Sequence, residues 1–313
     1  MRRARPPEPA PLPPPDMAHP TLAEAMADVA AEIDRRFDRL LAVPGDARAA
    51  LYEAMRHASI GGGKRMRPLL VFAVADLFGV DKECAGRAAT AIEAIHIYSL
   101  IHDDLPAMDD DDMRRGKPTV HKAFDEATAV LAGDCLHALA FEILAEPATH
   151  ADPTIRADLI LDLALASGPS GMAGGQMMDL AAEHARFDLA GVTRLQQMKT
   201  GALIAASVEA GAILGRANAA ARTALRGYAR DIGLAFQIAD DLLDAEGDEA
   251  LAGKKLRKDG EQGKETFLTL LGTERAREQC AMLVDQAIEH LRDFGDRADL
   301  LRQIAHYVFE RDH

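Results

Sequence analysis

Between residues 21 and 310 the apolar side chains return at the three- and four-residue spacing of amphipathic helices, with no strict alternation of the kind a half-buried strand requires. The stretch TLAEAMADVAAEIDRRFDRLLAV is typical. Thr21 stands as a capping residue with Glu24 three positions on, and Met26, Val29, Ile33, Phe37, Leu40 and Leu41 follow at helical spacing. Further helices are read over 46–57, 67–78, 82–104, 125–146, 154–166, 171–182, 191–214, 218–245, 273–294 and 297–310. They are separated by Pro44-Gly45, Gly61-Gly62-Gly63, Pro106, Pro147, Pro153 and the charged stretch 246–265. Aromatic residues make up 4% of the chain and Trp is absent, which also favours helix over sheet. The expectation is an all-α fold, a single large helical domain over 21–313. Residues 1–20 hold eight of the 15 prolines and read as an extended, disordered tail.

Charge and cysteine usage narrow the function classes. The 313 residues carry 36 Lys and Arg against 50 Asp and Glu, a net charge of −14. This excess speaks against nucleic acid as a partner, because phosphate backbones are captured by positive charge. Cys84, Cys135 and Cys280 stand at unrelated spacings, so neither a disulfide framework nor a zinc site is expected. No uninterrupted apolar run approaches the ~18 residues of a membrane span, and no apolar segment follows the basic MRRARPP start. A cytoplasmic protein without stable membrane insertion is the expectation.

Two acidic clusters carry the chemistry. Six Asp fall within residues 103–112, directly after Ile92–Ile101, which is too apolar for a surface helix. The second cluster is FQIADDLLD, where Asp240 and Asp244 are four apart and share a helix face, with Asp241 on the flank. Asp103 and Asp109 are six apart, a poor helical match, but Pro106 disfavours helix at Leu105 and lets the chain bend so that Asp109 returns toward Asp103. Carboxylates without His or Cys among them suit a hard cation such as Mg²⁺, which completes its shell with water and substrate phosphate. His102 and His121, which flank the first cluster, read as supporting or capping groups rather than ligands.

Basic residues appear where anions would need them. GGGKRMRP sets three glycines before Lys64, Arg65 and Arg67, with Pro68 positioned to begin a helix. Arg114 and Arg115 follow the first acidic cluster, and Lys199-Thr200-Gly201 and Gly263-Lys264-Glu265-Thr266 add further lysines. Together they suggest two anionic subsites, one bridged by metal and one held directly.

At this point the chain resembles the trans-polyprenyl diphosphate synthase family, and within it the bacterial farnesyl diphosphate synthase branch. The resemblance rests on GGGKRMRP, YSLIHDDLPAMDDDDMRRGKPTVH, GMAGGQMMD, KTGALI, FQIADDLLD and GKETF, in the family's order. It implies an isoprenoid-synthase helical bundle around a central cavity and head-to-tail condensation of isopentenyl diphosphate with dimethylallyl or geranyl diphosphate. It assigns Asp103, Asp104 and Asp109, with Asp240, Asp241 and Asp244, to Mg²⁺, three ions in all. Isopentenyl diphosphate would be gripped by Lys64, Arg67, His96 and Arg115. Arg114, Lys199 and Lys264 would contact the allylic diphosphate, with Thr200 and Gln237 lining the reacting end. A homodimer is implied as well.

Product length remains open between two residues. Ser99 lies one turn below Asp103 on nearly the same face, whereas Tyr98 is ~140° away on an ideal helix; the resemblance favours Tyr98 and a farnesyl product. The alternatives are a geranyl or geranylgeranyl product, or a non-catalytic subunit of a heteromeric synthase. The family's GKxTYP reads GKETFL here, so Phe267 and Leu268 replace Tyr and Pro.

Overall fold

Thr21 opens the first helix as its sequence suggests. In the computed structural model its side chain accepts from the Glu24 N–H while Glu24 Oε2 accepts from the Thr21 N–H at 2.9 Å, a reciprocal cap. The structure describes residues 21–182, 184–246 and 265–310. The proline-rich stretch 1–20 and Lys264 lie outside the described residues.

The order of elements is α1 Leu22–Leu40, α2 Ala49–Ser59, α3 Met66–Leu77 and α4 Lys82–Asp103. A two-strand hairpin comes next, β1 Met113–Arg114 with β2 Lys117–Pro118, and then α5 Val120–Ala123, α6 Glu126–Ala145, α7 Pro153–Ser167 and α8 Met172–Ala182. The chain continues through α9 Leu189–Gln196, a π-helical turn Gln197–Gly201, α10 Ala202–Leu214 and α11 Ala219–Glu246. It ends in α12 Phe267–Leu271, α13 Thr273–His290, a 3₁₀ segment Arg292–Ala298 and α14 Asp299–Glu310. Asp81, Asp125, Asp152 and Asp188 cap α4, α6, α7 and α9 by accepting from first-turn N–H groups.

Two helices form the axis of the bundle. From Leu203 to Leu214, α10 is buried at nearly every position, and α4 is buried from Ala85 through Ile97 with few interruptions. A helix apolar on all sides must be surrounded, and these are: α4 packs against α3, α6 and α10, and α10 against α3, α7 and α11. The partner layer of α13 and α14 closes over α11. Tyr228 of α11 is fully buried and donates its hydroxyl to the Leu301 carbonyl at 2.8 Å, so the C-terminal helix is keyed to the core by a satisfied polar group.

Several expectations change. The reading of one helix over 191–214 gives way to α9, the π turn and α10, because the apolar spacing runs on through a segment that inserts an extra residue. The short hairpin and the short helices α5 and α12 were not foreseen. Glu126–Ala145 is, among the described residues, long and apolar enough by length and composition to cross a membrane. The expectation of no such segment counted uninterrupted apolar residues, whereas α6 reaches this average through its many Ala and Leu; it packs against α4 and α2 within the bundle.

Candidate active site

The first acidic cluster bends back as the proline requires. The Asp109 N–H donates to the Asp103 carbonyl at 2.8 Å, and the Met108 and Asp110 N–H groups both reach the Leu105 carbonyl. Asp103 is thereby crowded. Burial, with Asp109 and Asp104 adding repulsion, pushes its carboxyl up to about 7, although Lys199 and Arg114 pull the other way. Asp104 is also raised by burial, and it is clamped by Arg114 through Nε at 2.7 Å and Nη2 at 2.6 Å. Thus Asp103 and Asp109 are drawn together, while Asp104 holds an arginine in place.

Lys199 reaches this cluster from the other side of the cavity. The π turn that carries it packs against α8, where Gly175 is required: a Cβ there would collide with the Lys199 backbone nitrogen. Its ammonium meets Asp179 of α8 at 2.8 Å. Burial works against that charge, but Asp179 first, then Asp103 and Asp109, outweigh it and hold the lysine above its ordinary range. Thr200 follows on the same turn and is partly buried.

The second cluster sits on the regular helix α11, so Asp240 and Asp244 share a face as expected. Asp241 is buried and accepts the Phe267 N–H at 2.8 Å, tying α12 to α11. Phe267 itself is buried, and a phenyl ring leaves no hydroxyl to satisfy there. Gln237 is buried on the same helix.

The cationic pocket completes the cavity. Burial lowers Arg67 below the ordinary guanidinium range, with Arg115 adding to it and Glu93 and Asp240 opposing. Asp240 of the second motif therefore lies within electrostatic reach of the arginine proposed for the other diphosphate. His96 is pushed well below its ordinary value by burial and then by Arg67, Arg115, Arg114 and Arg65. The Nε of Arg67 is buried with no hydrogen-bond partner. Arg115 lies against the glycine loop: its Nη1 donates to the Gly62 carbonyl at 3.3 Å, and a Cβ on Gly63 would come within 2.5 Å of its guanidinium carbon. Lys64 lies 5.6 Å from the Tyr307 ring of α14.

Sequence reasoning missed the residue that holds this loop. Arg65 has φ +50° and is buried; it donates to Glu93 at 2.7 Å, to Asp34 at 2.7 Å and to the Ser59 carbonyl at 2.6 Å. The available signal was Glu93, a lone carboxylate inside an apolar helix that needs a buried partner. On α4, Tyr98 stacks edge-on with His102 and with His137 of α6, and Ser99 Oγ turns back to the His96 carbonyl at 2.8 Å.

An all-α bundle that sets Lys199 and Arg114 beside Asp103, and Asp240 within electrostatic reach of Arg67, is the arrangement of an isoprenoid-diphosphate enzyme. The profile of the family described as polyprenyl synthetase matches residues 48–308, and the chain belongs to that family. It is 45% identical over 265 residues to the farnesyl diphosphate synthase of Escherichia coli (strain K12), covering 83% of this chain and 89% of the relative. Among solved structures it resembles an FPP/GFPP synthase from Zymomonas mobilis in its apo form, at 59% identity and a TM-score of 0.85, covering 92% of this chain and 98% of that one. A geranyltransferase from Helicobacter pylori, complexed with magnesium and isoprenyl diphosphate, gives 31% identity and a TM-score of 0.78 over 94% and 97% of the two chains.

Proposed function

We propose that this protein is a Mg²⁺-dependent prenyltransferase that condenses isopentenyl diphosphate head-to-tail with dimethylallyl and then geranyl diphosphate, giving farnesyl diphosphate. The observation that carries the reading is the joint electrostatics of the cavity: Asp240 offsets the burial of Arg67 while Lys199 and Arg114 offset that of Asp103. These pairings support a reading in which both carboxylate motifs and both cation sets act on one pair of diphosphates.

The donor set fits magnesium. Its oxygens are carboxylate oxygens, and the burial and like-charge repulsion that raise Asp103 are what a divalent cation offsets. Asp103, Asp109, Asp240 and Asp244 would hold the ions, three in number as in the family, with Asp104 and Asp241 orienting the arms. When bound, magnesium would neutralise the allylic diphosphate and favour its departure as a Lewis acid. Arg114 and Lys199 hold the oxygens of that leaving group, where negative charge grows as the C1–O bond breaks, and the resemblance assigns Lys264 to the same group. Lys64, Arg67, Arg115 and His96 hold isopentenyl diphosphate so that its double bond faces C1. The double bond attacks C1, and the proton lost from the adduct passes to the released diphosphate. Thr200 and Gln237 line this reacting end, and Tyr98 limits the depth available to the growing chain.

The catalytic unit is the domain 21–313, in the cytoplasm. Val130 and Leu131 on α6 and Leu161 and Leu165 on α7 are exposed apolar residues that suit a homodimer contact. A longer product is the second reading, favoured by a small cavity further down α4, lined by Ala88, Ile92, Leu159 and Asp162.

The test is to incubate the purified protein with isopentenyl diphosphate, dimethylallyl or geranyl diphosphate and Mg²⁺, and to size the products, with EDTA as control. A fifteen-carbon product lost in EDTA is expected. No turnover sinks the enzyme reading, and a twenty-carbon product sinks the role of Tyr98.

A further inference from the structure

We propose that the loop beyond the first aspartate motif carries a separate site for a first-row transition-metal dication of the Zn²⁺ kind, held by Asp110, Asp112 and His121. One carboxylate oxygen of each aspartate and a ring nitrogen of His121 lie within 4.8 Å of one another. Neither these aspartates nor the histidine is among the residues assigned above to the condensation.

The histidine is what separates this cluster from an ordinary acidic loop. His121 is only 8% exposed, yet its Nε2 is buried with no hydrogen-bond partner, an arrangement that is costly unless something binds there. Its other nitrogen, Nδ1, is 3.2 Å from Thr119 Oγ1, and Thr119 donates through both N and Oγ1 to the Asp112 carbonyl. Donation from Nδ1–H to Thr119 leaves the Nε2 lone pair available and fixes the ring, which is how metal-bound imidazoles are usually oriented. Asp112 also pairs with Lys122 at 2.8 Å, so binding has to compete with one exposed ion pair.

The donor set predicts which cation binds. One imidazole and two carboxylates suit zinc, cobalt or manganese, whereas magnesium prefers oxygen alone. The hairpin that presents Arg114 and Arg115 begins just after Asp112 and ends just before His121. An ion bound by both residues ties the two feet of that hairpin together.

The experiment uses the full chain, stripped with EDTA and then titrated with Zn²⁺ by calorimetry in excess Mg²⁺, which fills the oxygen-only sites. One equivalent of Zn²⁺ per chain is expected. Asp110→Asn, at an exposed position, should weaken it about tenfold or more, while Asp240→Asn should leave it unchanged. Cu²⁺ bound at the same stoichiometry should show nitrogen superhyperfine splitting in its EPR spectrum, and His121→Gln should abolish that splitting. If His121→Gln fails to fold, the wild-type spectrum still decides whether nitrogen is a ligand. Zn²⁺ displaced by Mg²⁺, binding indifferent to Asp110→Asn, or a spectrum without nitrogen coupling would each overturn the proposal.

Discussion

The two aspartate motifs are built by different routes. The arm on α11 needs only helical spacing, whereas the arm after α4 is assembled by a bend, backbone hydrogen bonds and an arginine. Yet both turn their second aspartate toward the protein, Asp104 to Arg114 and Asp241 to the Phe267 N–H. The comparison teaches that in each doubled aspartate the second carboxylate is engaged by the protein, by a guanidinium in one motif and by a backbone N–H in the other.

Substitutions test that engagement in order of size. Asp103→Ala should lower turnover on the order of 100- to 1000-fold, as measured by steady-state kinetics; a residue directed at the protein would cost far less.

The metal-free protein provides a second test, by pH. The folded Asp103 carboxyl at about 7 lies above its unfolded value of 3.8, so between these values the folded chain keeps a proton that the unfolded chain has released. Its contribution to stability is therefore greatest at low pH and is lost as pH rises through about 7. In EDTA, the melting temperature of Asp103→Asn should gain on that of the unsubstituted protein across this window, and parallel curves would contradict the crowding.

Asp104→Asn should cost about 2 kcal/mol in denaturant unfolding, because it leaves a largely buried arginine without its carboxylate. Asp241→Asn should cost about 1 kcal/mol, since a neutral amide oxygen can still accept the Phe267 N–H. If Asp104→Asn instead leaves stability unchanged and acts only on metal affinity, that engagement carries no weight in the first motif. Smallest in rate is Tyr98→Ala, which should lengthen the product with little change in turnover, read by product chromatography. Unchanged products would return Tyr98 to a packing role.

Much of this was legible because spacing and chemistry coincide. The cap at Thr21, the return of Asp109 past Pro106 and the shared face of Asp240 and Asp244 all follow from local rules. What escaped the sequence depends on contacts between distant segments. Arg65 is one cation in a basic run until Glu93 and Asp34 arrive from other helices. Gly174 and Gly175 carry no partner in the sequence, yet a Cβ on either would collide with Met198 or with the Lys199 backbone, which lie on the π turn. His121 was read as a supporting group, and only its burial reveals a nitrogen without a partner.

The π turn at Gln197–Gly201 gives the aim of Lys199 an arithmetic basis. Each residue added to a helix rotates the part before it by ~100° relative to the part after it. Removing one residue from this turn would restore a smooth helix and keep α10 in the core, yet swing α9 and the lysine about a quarter of a circle out of phase. The direction of Lys199 is therefore encoded in the number of residues in the turn, a quantity that side-chain substitutions leave untouched and a single-codon deletion would change.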